Sequence, residues 1–218
     1  MSLRSALHRT DPVTGRRRDD RGAIFVQMAI ILPFLITLVL GVFELGMGWR
    51  AQMTVSNSAR AGARVASNVS VDPLADYTTL SSVGASIRSI NNITVNWVTI
   101  YKVTSTDITP PANCVTAAAI TAHGNAGSSC NTYSGAELTA VVNGIQTGFG
   151  NCAAGGAKDA KWCPTTRVVD QASTNGPDTI GVAMSITYPT FTKLFGSTRT
   201  IIDKFAMRLE PAGSLGGP

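Results

Sequence analysis

From Ala23 to Phe43 the chain sets 21 residues in a row without a charge, the most polar being Gln27 and Thr37. As an α-helix this run is about 31 Å long, enough to cross the hydrocarbon core of a bilayer. A core helix of a water-soluble protein seldom stays uncharged for so long, so the run is read as a membrane span. A cleaved secretory signal has a shorter apolar region of about 7–15 residues followed by a small-x-small site. Here Glu44, Gly46, Gly48 and Trp49 follow instead. Beyond the span, Leu45, Trp49, Met53, Ser56, Ala59, Ala63 and Ala66 recur every three or four residues. That spacing predicts a single helix from about Ala23 to Ser67 whose second half is amphipathic and paved with small residues. Pro33 removes one ladder bond and should bend the membrane half, which bilayer helices tolerate. Gly41, Gly46, Gly48 and the Ala59-x-x-x-Ala63 pair let another surface come close. For Ala59 to Ala66 that surface is the protein's own domain; for Gly41 to Gly48 a partner helix serves equally well. Trp49 reads as an interface anchor.

Asp72-Pro73 ends the helical pattern. Leu80, Val83, Ile87 and Ile90 then form the stripe of a short helix with Asp76 as its candidate cap. Asn91-Asn92 turns the chain into a strand with Ile93, Val95, Trp97, Tyr101 and Val103 on one face and Thr94, Asn96 and Lys102 on the other. Trp97 and Tyr101 read as core rather than as a ligand platform. Residues 104–135 form a long loop rich in Thr, Ala, Ser, Asn and Gly. Leu138, Val141, Val142 and Ile145 predict another short helix, ended by Gly148 or Gly150, before a second loop around Trp162. Arg167-Val168-Val169 is expected as a short strand, followed by a turn at Asn175–Asp178. Ile180, Val182, Met184, Ile186 and Tyr188 alternate along the next strand, and Ile201, Phe205, Met207 and Leu209 share one face of the last. Strands in sequence with short connections predict an antiparallel meander whose apolar face the long helix covers. The fold class is therefore α+β: a long N-terminal transmembrane helix packed by its second half on an antiparallel sheet. The domain plan is a basic leader at 1–22, the span at 23–43, a helical extension at 44–69, an α+β domain at 70–210 and a flexible tail at 211–218.

Charge adds orientation and removes one class of partner. Six arginines and three aspartates precede Gly22, so the leader supplies +3 of the net +5. The positive-inside bias places this leader in the cytoplasm and the domain outside. What remains is too weakly basic for a nucleic-acid footprint. All four cysteines then lie outside the membrane, where three pairings are open to them. Pairing neighbours, Cys114 with Cys130 and Cys152 with Cys163, would staple each loop at its base. Metal binding fails on spacing, since there is no CxxC pair and only His123 lies beyond the span. Asp170 and Asp178 stand near turns, where aspartates cap or solvate the backbone. The expectation is of no enzyme, no cofactor and no metal.

The order of basic leader, glycine and immediate apolar helix resembles the class III leader of type IV pilin-like proteins. More closely, Arg21-Gly22, Val26-Gln27-Met28-Ala29, Pro33 and Ala59-Arg60-Ala61-Gly62-Ala63-Arg64 resemble the TadE-like family of tight-adherence (Flp-type) pilus proteins. Near the C-terminus, Tyr188-Pro189 and Ala206-Met207-Arg208-Leu209-Glu210 add a second resemblance. The resemblance implies that a membrane prepilin peptidase cuts between Gly22 and Ala23. It also implies that the mature helix packs with the major Flp-type pilin and other Tad assembly proteins in the membrane. One residue departs from the pattern: Gln27 stands where the family has a glutamate. In pilins that carboxylate meets the N-terminal ammonium of a neighbouring subunit, offsetting a costly charge in hydrocarbon. Gln27 keeps an acceptor without the charge, which points to a minor or accessory role rather than a repeating filament subunit; equally, it reads as a polar residue bonding the helix backbone or a neighbouring helix. The alternative is an uncleaved single-pass anchor that displays a partner-binding domain.

Overall fold

A computed structural model describes residues 19–104, 106–193 and 196–210. The first helix, α1, runs unbroken from Asp19 to Val69 with Pro33 inside it. It covers the whole stretch expected to be helical and begins four residues earlier. The remainder of the leader and the tail at 211–218 lie outside the described residues. The chain divides into two compact units, Met1–Leu45 and Gly46–Pro218.

Within the second unit, four antiparallel strands lie in the order β2-β1-β3-β4: β1 Thr94–Lys102, β2 Cys130–Ser134, β3 Thr179–Pro189 and β4 Thr198–Arg208. This is not the simple meander expected. β3 pairs with the side of β1 opposite β2, and β2 emerges from the stretch expected to be loop. The sequence hides β2 because Cys130, Asn131, Thr132 and Tyr133 are all buried, so no polar and apolar positions alternate along it. The same stretch also folds a short helix, α3, at Ala117–Thr121.

The second half of α1 lies on the sheet through its smallest side chains. Ala51, Val55, Ala63 and Ala66 are buried in one core with Val98, Ile100, Val182, Met184 and Ile186, and Ala59 is fully buried as well. Polar ties register helix against edge strand along its length. Gln52 Nε2 donates to Asp203 Oδ2 at 3.3 Å, and Ser67 Oγ donates to the Arg208 carbonyl at 2.5 Å. Between them, the Arg60 guanidinium sits 5.5 Å over the Phe205 ring, a cation–π contact.

β1 corrects a second expectation. Ile93, Val95, Trp97, Tyr101 and Val103 do not share a face, because the register slips between Val95 and Trp97. An extra residue in a bulged strand reverses every side chain after it. Val95 therefore joins Val98 and Ile100 under α1, while Trp97 and Tyr101 turn to the other face with Cys114, Cys130 and Ala183. That second face is a small core of its own, and the Tyr101 hydroxyl closes it by donating to the Ile108 carbonyl.

Two further helices flank the sheet, α2 at Ala75–Ile87 and α4 at Gly135–Val142. Asp76 is not the cap of α2. Leu74 holds that position without a side-chain bond, and Asp72 Oδ1 accepts from the Leu74 amide at 2.7 Å. α4 opens with a capping box between Ser134 and Glu137. It ends at Val142, earlier than the Gly148 or Gly150 expected, and Ile145 is left exposed beyond it. Gly144, at φ +85°, follows the end, taking the left-handed conformation glycine adopts without strain. Arg167–Val169 forms no strand, because Arg167 is drawn into the interior by an ion pair described below.

Gly62 marks the closest approach of α1 to its neighbours. A Cβ there would stand 2.5 Å from Val83 Cγ2 and 3.2 Å from Val182 Cγ1. Alanine gains roughly 1 kcal/mol of helix propensity over glycine, whereas overpacking a tight core costs about 1–3 kcal/mol. Gly62→Ala should therefore lower the thermal midpoint of the detergent-solubilised chain. Gly46→Ala, with nothing within 4 Å of the added carbon, should hold or raise it. Near-UV circular dichroism melts of the two variants check the pair, and a more stable Gly62→Ala would refute this packing.

Candidate functional site

α1 is the one helix among the described residues long and apolar enough to cross a membrane. Its most apolar window has mean hydropathy 2.6, and none of that window is buried. Phe25, Val26, Ile30, Phe34, Val39 and Val42 are each more than 60% exposed. Fully burying one such side chain is worth roughly 1.5–3 kcal/mol. A row of them demands a cover of lipid or neighbouring helices rather than water, and the chain is a single-pass membrane-anchored protein.

Gly22, Ala23, Gln27 and Pro33 lie along this exposed rod. A Cβ added at Gly22, Gly41 or Gly46 would meet nothing within 4 Å. Gly48 differs: the Tyr188 hydroxyl would lie 2.9 Å from its Cβ, so the protein's own sheet occupies that position. Gly41 and Gly46 thus remain open for another helix, while Gly48 serves the internal packing. Thr37 Oγ1 donates to the Pro33 carbonyl at 2.8 Å, keeping a polar side chain satisfied inside the apolar run.

The bridges join Cys114 to Cys130 and Cys152 to Cys163, one of the three pairings the sequence leaves open, with Cα separations of 6.1 and 5.6 Å. The first lies in the small core beside Trp97 and Tyr101; the second closes the loop before Arg167. Each contributes about 2–4 kcal/mol, mainly by restricting the unfolded chain.

Sequence reasoning missed the main polar centre of the domain. Asp76 on α2 is fully buried and pairs with buried Arg167 at 2.5 Å. Its second oxygen accepts from Asn131 Nδ2 and the Tyr133 hydroxyl, both at 2.7 Å. Asn131 also bonds the backbone of Trp162 in both directions at 2.8 Å, and Arg167 lies 4.3 Å over the Trp162 ring. Asp159, fully buried nearby, is the least satisfied member. The backbone amides of Asp159 and Gly150 face its carboxylate and favour the charged form, though neither makes a hydrogen bond of normal geometry. Burial, and then the charge of Asp76, push its pKa above the ordinary carboxylate range. Burial likewise raises the Tyr133 phenol. The partners of Asp76 lie 55 to 91 positions away, so no local pattern could have revealed them.

Other charged side chains of the domain are also partnered within it. His123 Nδ1 and Lys158 Nζ each approach Glu137 Oε1 at 3.3 Å, where Glu137 already caps α4. Asp170 accepts from the Ala172 amide, and Asp178 from the Val168 amide while pairing with Lys102 at 2.6 Å. Both aspartates thus bond the backbone as expected. Among the described residues no three His, Cys, Asp or Glu side chains stand together as metal ligands.

Removing one partner of a buried ion pair typically costs about 3–5 kcal/mol. Arg167→Met, which strands Asp76, should destabilise the domain by about that amount in denaturant unfolding. For Asp159 the sign follows from its raised pKa: the folded state holds the proton more tightly, so stability falls as pH rises above about 4. Asp159→Asn should raise the thermal midpoint at pH 7, with the gain shrinking toward pH 4. A pH-independent difference would refute the assignment.

No curated protein and no solved structure matches the chain. The sequence does match one family model, described as TadE-like protein, over residues 22–64. The match begins at Gly22 and spans the exposed rod and the small-residue face on the sheet; Tyr188-Pro189 and Ala206–Glu210 lie outside it. Over that helical segment the chain is similar to TadE-like proteins.

Proposed function

We propose that this protein is a minor pilin or assembly component of a Tad (Flp-type) pilus, matured by a prepilin peptidase that cuts after Gly22. The observation that carries the reading is the continuity of α1. One helix presents an uncharged, exposed half directly after Gly22 and then locks its own domain through a small-residue face. Such a rod serves as lipid anchor and as docking spine at once. The arginine-rich leader stays in the cytoplasm and the domain stands outside, where both disulfides are stable. Assembly is non-covalent. Gly41 and Gly46, where an added Cβ would meet nothing within 4 Å, let a pilin or Tad-protein helix approach in the bilayer, and the domain chooses partners outside. The protein carries out no catalysis. Gln27, which lacks the charge to meet a neighbour's N-terminal ammonium, fits a position occupied once per pilus rather than repeated along it.

N-terminal sequencing of the protein purified from membranes tests this. Ala23 as the first residue is the expected result, and Met1 or Ser2 would favour an uncleaved anchor displaying a partner-binding domain. Deleting the gene should abolish or shorten the pili seen by electron microscopy. His123→Ala should leave them intact, whereas loss of pili in a folded His123→Ala variant would argue for chemistry in the domain.

A further inference from the structure

The two disulfides sit in different surroundings. Cys114 and Cys130 are fully buried, inside the small core beside Trp97 and Tyr101. Cys152 and Cys163 are half-buried, and the chain between them exposes Ala153, Ala154, Gly155 and Gly156. Thiol–disulfide exchange begins when a thiolate reaches one sulfur, so access decides which bridge reacts first. Here the second bridge is the reachable one. Its ends stand 11 residues apart in sequence. Linking a loop of that size favours its closed form over the open one by roughly a hundredfold.

What this bridge holds in place is part of the buried centre around Asp76. Trp162, next to Cys163, exchanges two hydrogen bonds with the Asn131 side chain and is buried with the main core. Asp159, within the same loop, is fully buried, yet neither carboxylate oxygen has a hydrogen bond of normal geometry. Water would satisfy both oxygens, so burial of this carboxylate works against the closed loop. Lys158 adds a tie, pairing with Glu137 at 3.3 Å and lying over the Phe149 ring. Both partners keep some exposure, and ion pairs close to solvent contribute little. The covalent link therefore tips a loop balanced between Trp162, which favours burial, and Asp159, which opposes it.

We propose that Cys152–Cys163 is a redox-sensitive clasp: a protein dithiol reduces it from solvent while Cys114–Cys130 stays closed, and the freed loop withdraws Asp159 and Trp162 from the buried centre. One thiolate of the dithiol attacks a sulfur of the bridge, breaking the S–S bond and forming a mixed disulfide. The second thiol of the reductant then displaces the chain. The bridge has taken up two electrons and two protons, and the dithiol leaves as a disulfide. Oxidation in the reverse direction closes the clasp and completes the domain. To test this, the full chain in detergent is treated with graded dithiothreitol, and free thiols are trapped with iodoacetamide and mapped by peptide mass spectrometry. Cys152 and Cys163 should be labelled roughly tenfold faster than Cys114 and Cys130, following their access. In the chain reduced at that bridge alone, backbone hydrogen exchange at residues 131–134 and 159–168 should rise roughly a hundredfold, the restraint lost with the link. Exchange in β3 and β4 should stay as it was. The double variant Cys152→Ser, Cys163→Ser should show the same local rise without reductant, and adding Asp159→Asn should shrink it severalfold. Equal labelling of all four cysteines, unchanged exchange at 131–134 after reduction, or a rise spread equally over β3 and β4 would overturn the clasp.

Discussion

A helix can lie close on a sheet only where neither side pushes back, and that condition organises this protein. Ala51, Val55, Ala59, Gly62, Ala63 and Ala66 give α1 a face with almost no side-chain height, and Val182, Met184 and Ile186 fill the space it leaves. Dispersion between so many near-contact atoms is individually weak and collectively large. One added methylene at the narrowest point leaves no rotamer in which both neighbours fit. The same small residues that make the helix face unremarkable in hydrophobicity therefore carry its docking.

The two halves of α1 answer to different solvents. Its second half buries small residues against protein and sends Arg60 and Gln52 to the edge strand. Its first half exposes large aliphatic and aromatic side chains, and Thr37 there bonds back to the helix itself. That division suits one rod held in lipid at one end and in a folded domain at the other, and it is the physical basis of the pilus reading.

Outside the main core, order is maintained by two devices of different kinds. The disulfides tie segments with little apolar content, Cys114 to Cys130 beside the bulged strand and Cys152 to Cys163 in a glycine-rich loop. Asp76, Asn131, Tyr133 and Arg167 instead join α2, β2 and the segment before β3 at a single buried point. A buried ion pair adds little stability over an apolar replacement, yet a misfolded arrangement would strand its charges at a cost of several kcal/mol. The network therefore selects one arrangement of otherwise weakly specified chain. Asp159, with its unfavourable burial, is the stability cost of that arrangement.

Local signals in the sequence were enough for α1, for β3 and β4, for the α2 stripe and for the placement of the cysteines. Each of these depends on periodicity or spacing within a few turns of chain. The uncharged run and its glycine border made the candidate assembly surface legible as well, since lipid exposure is a property of composition. Tertiary structure alone decided the rest. It turned Trp97 and Tyr101 away from Val95 by a one-residue bulge, made an edge strand of Cys130–Ser134, and moved Asp76 and Arg167 from an expected cap and strand to a buried pair. It also assigned Gly48 to Tyr188 while leaving Gly41 and Gly46 open. In every such case the deciding partner lies dozens of residues away, and a buried polar side chain declares its role only when that partner arrives.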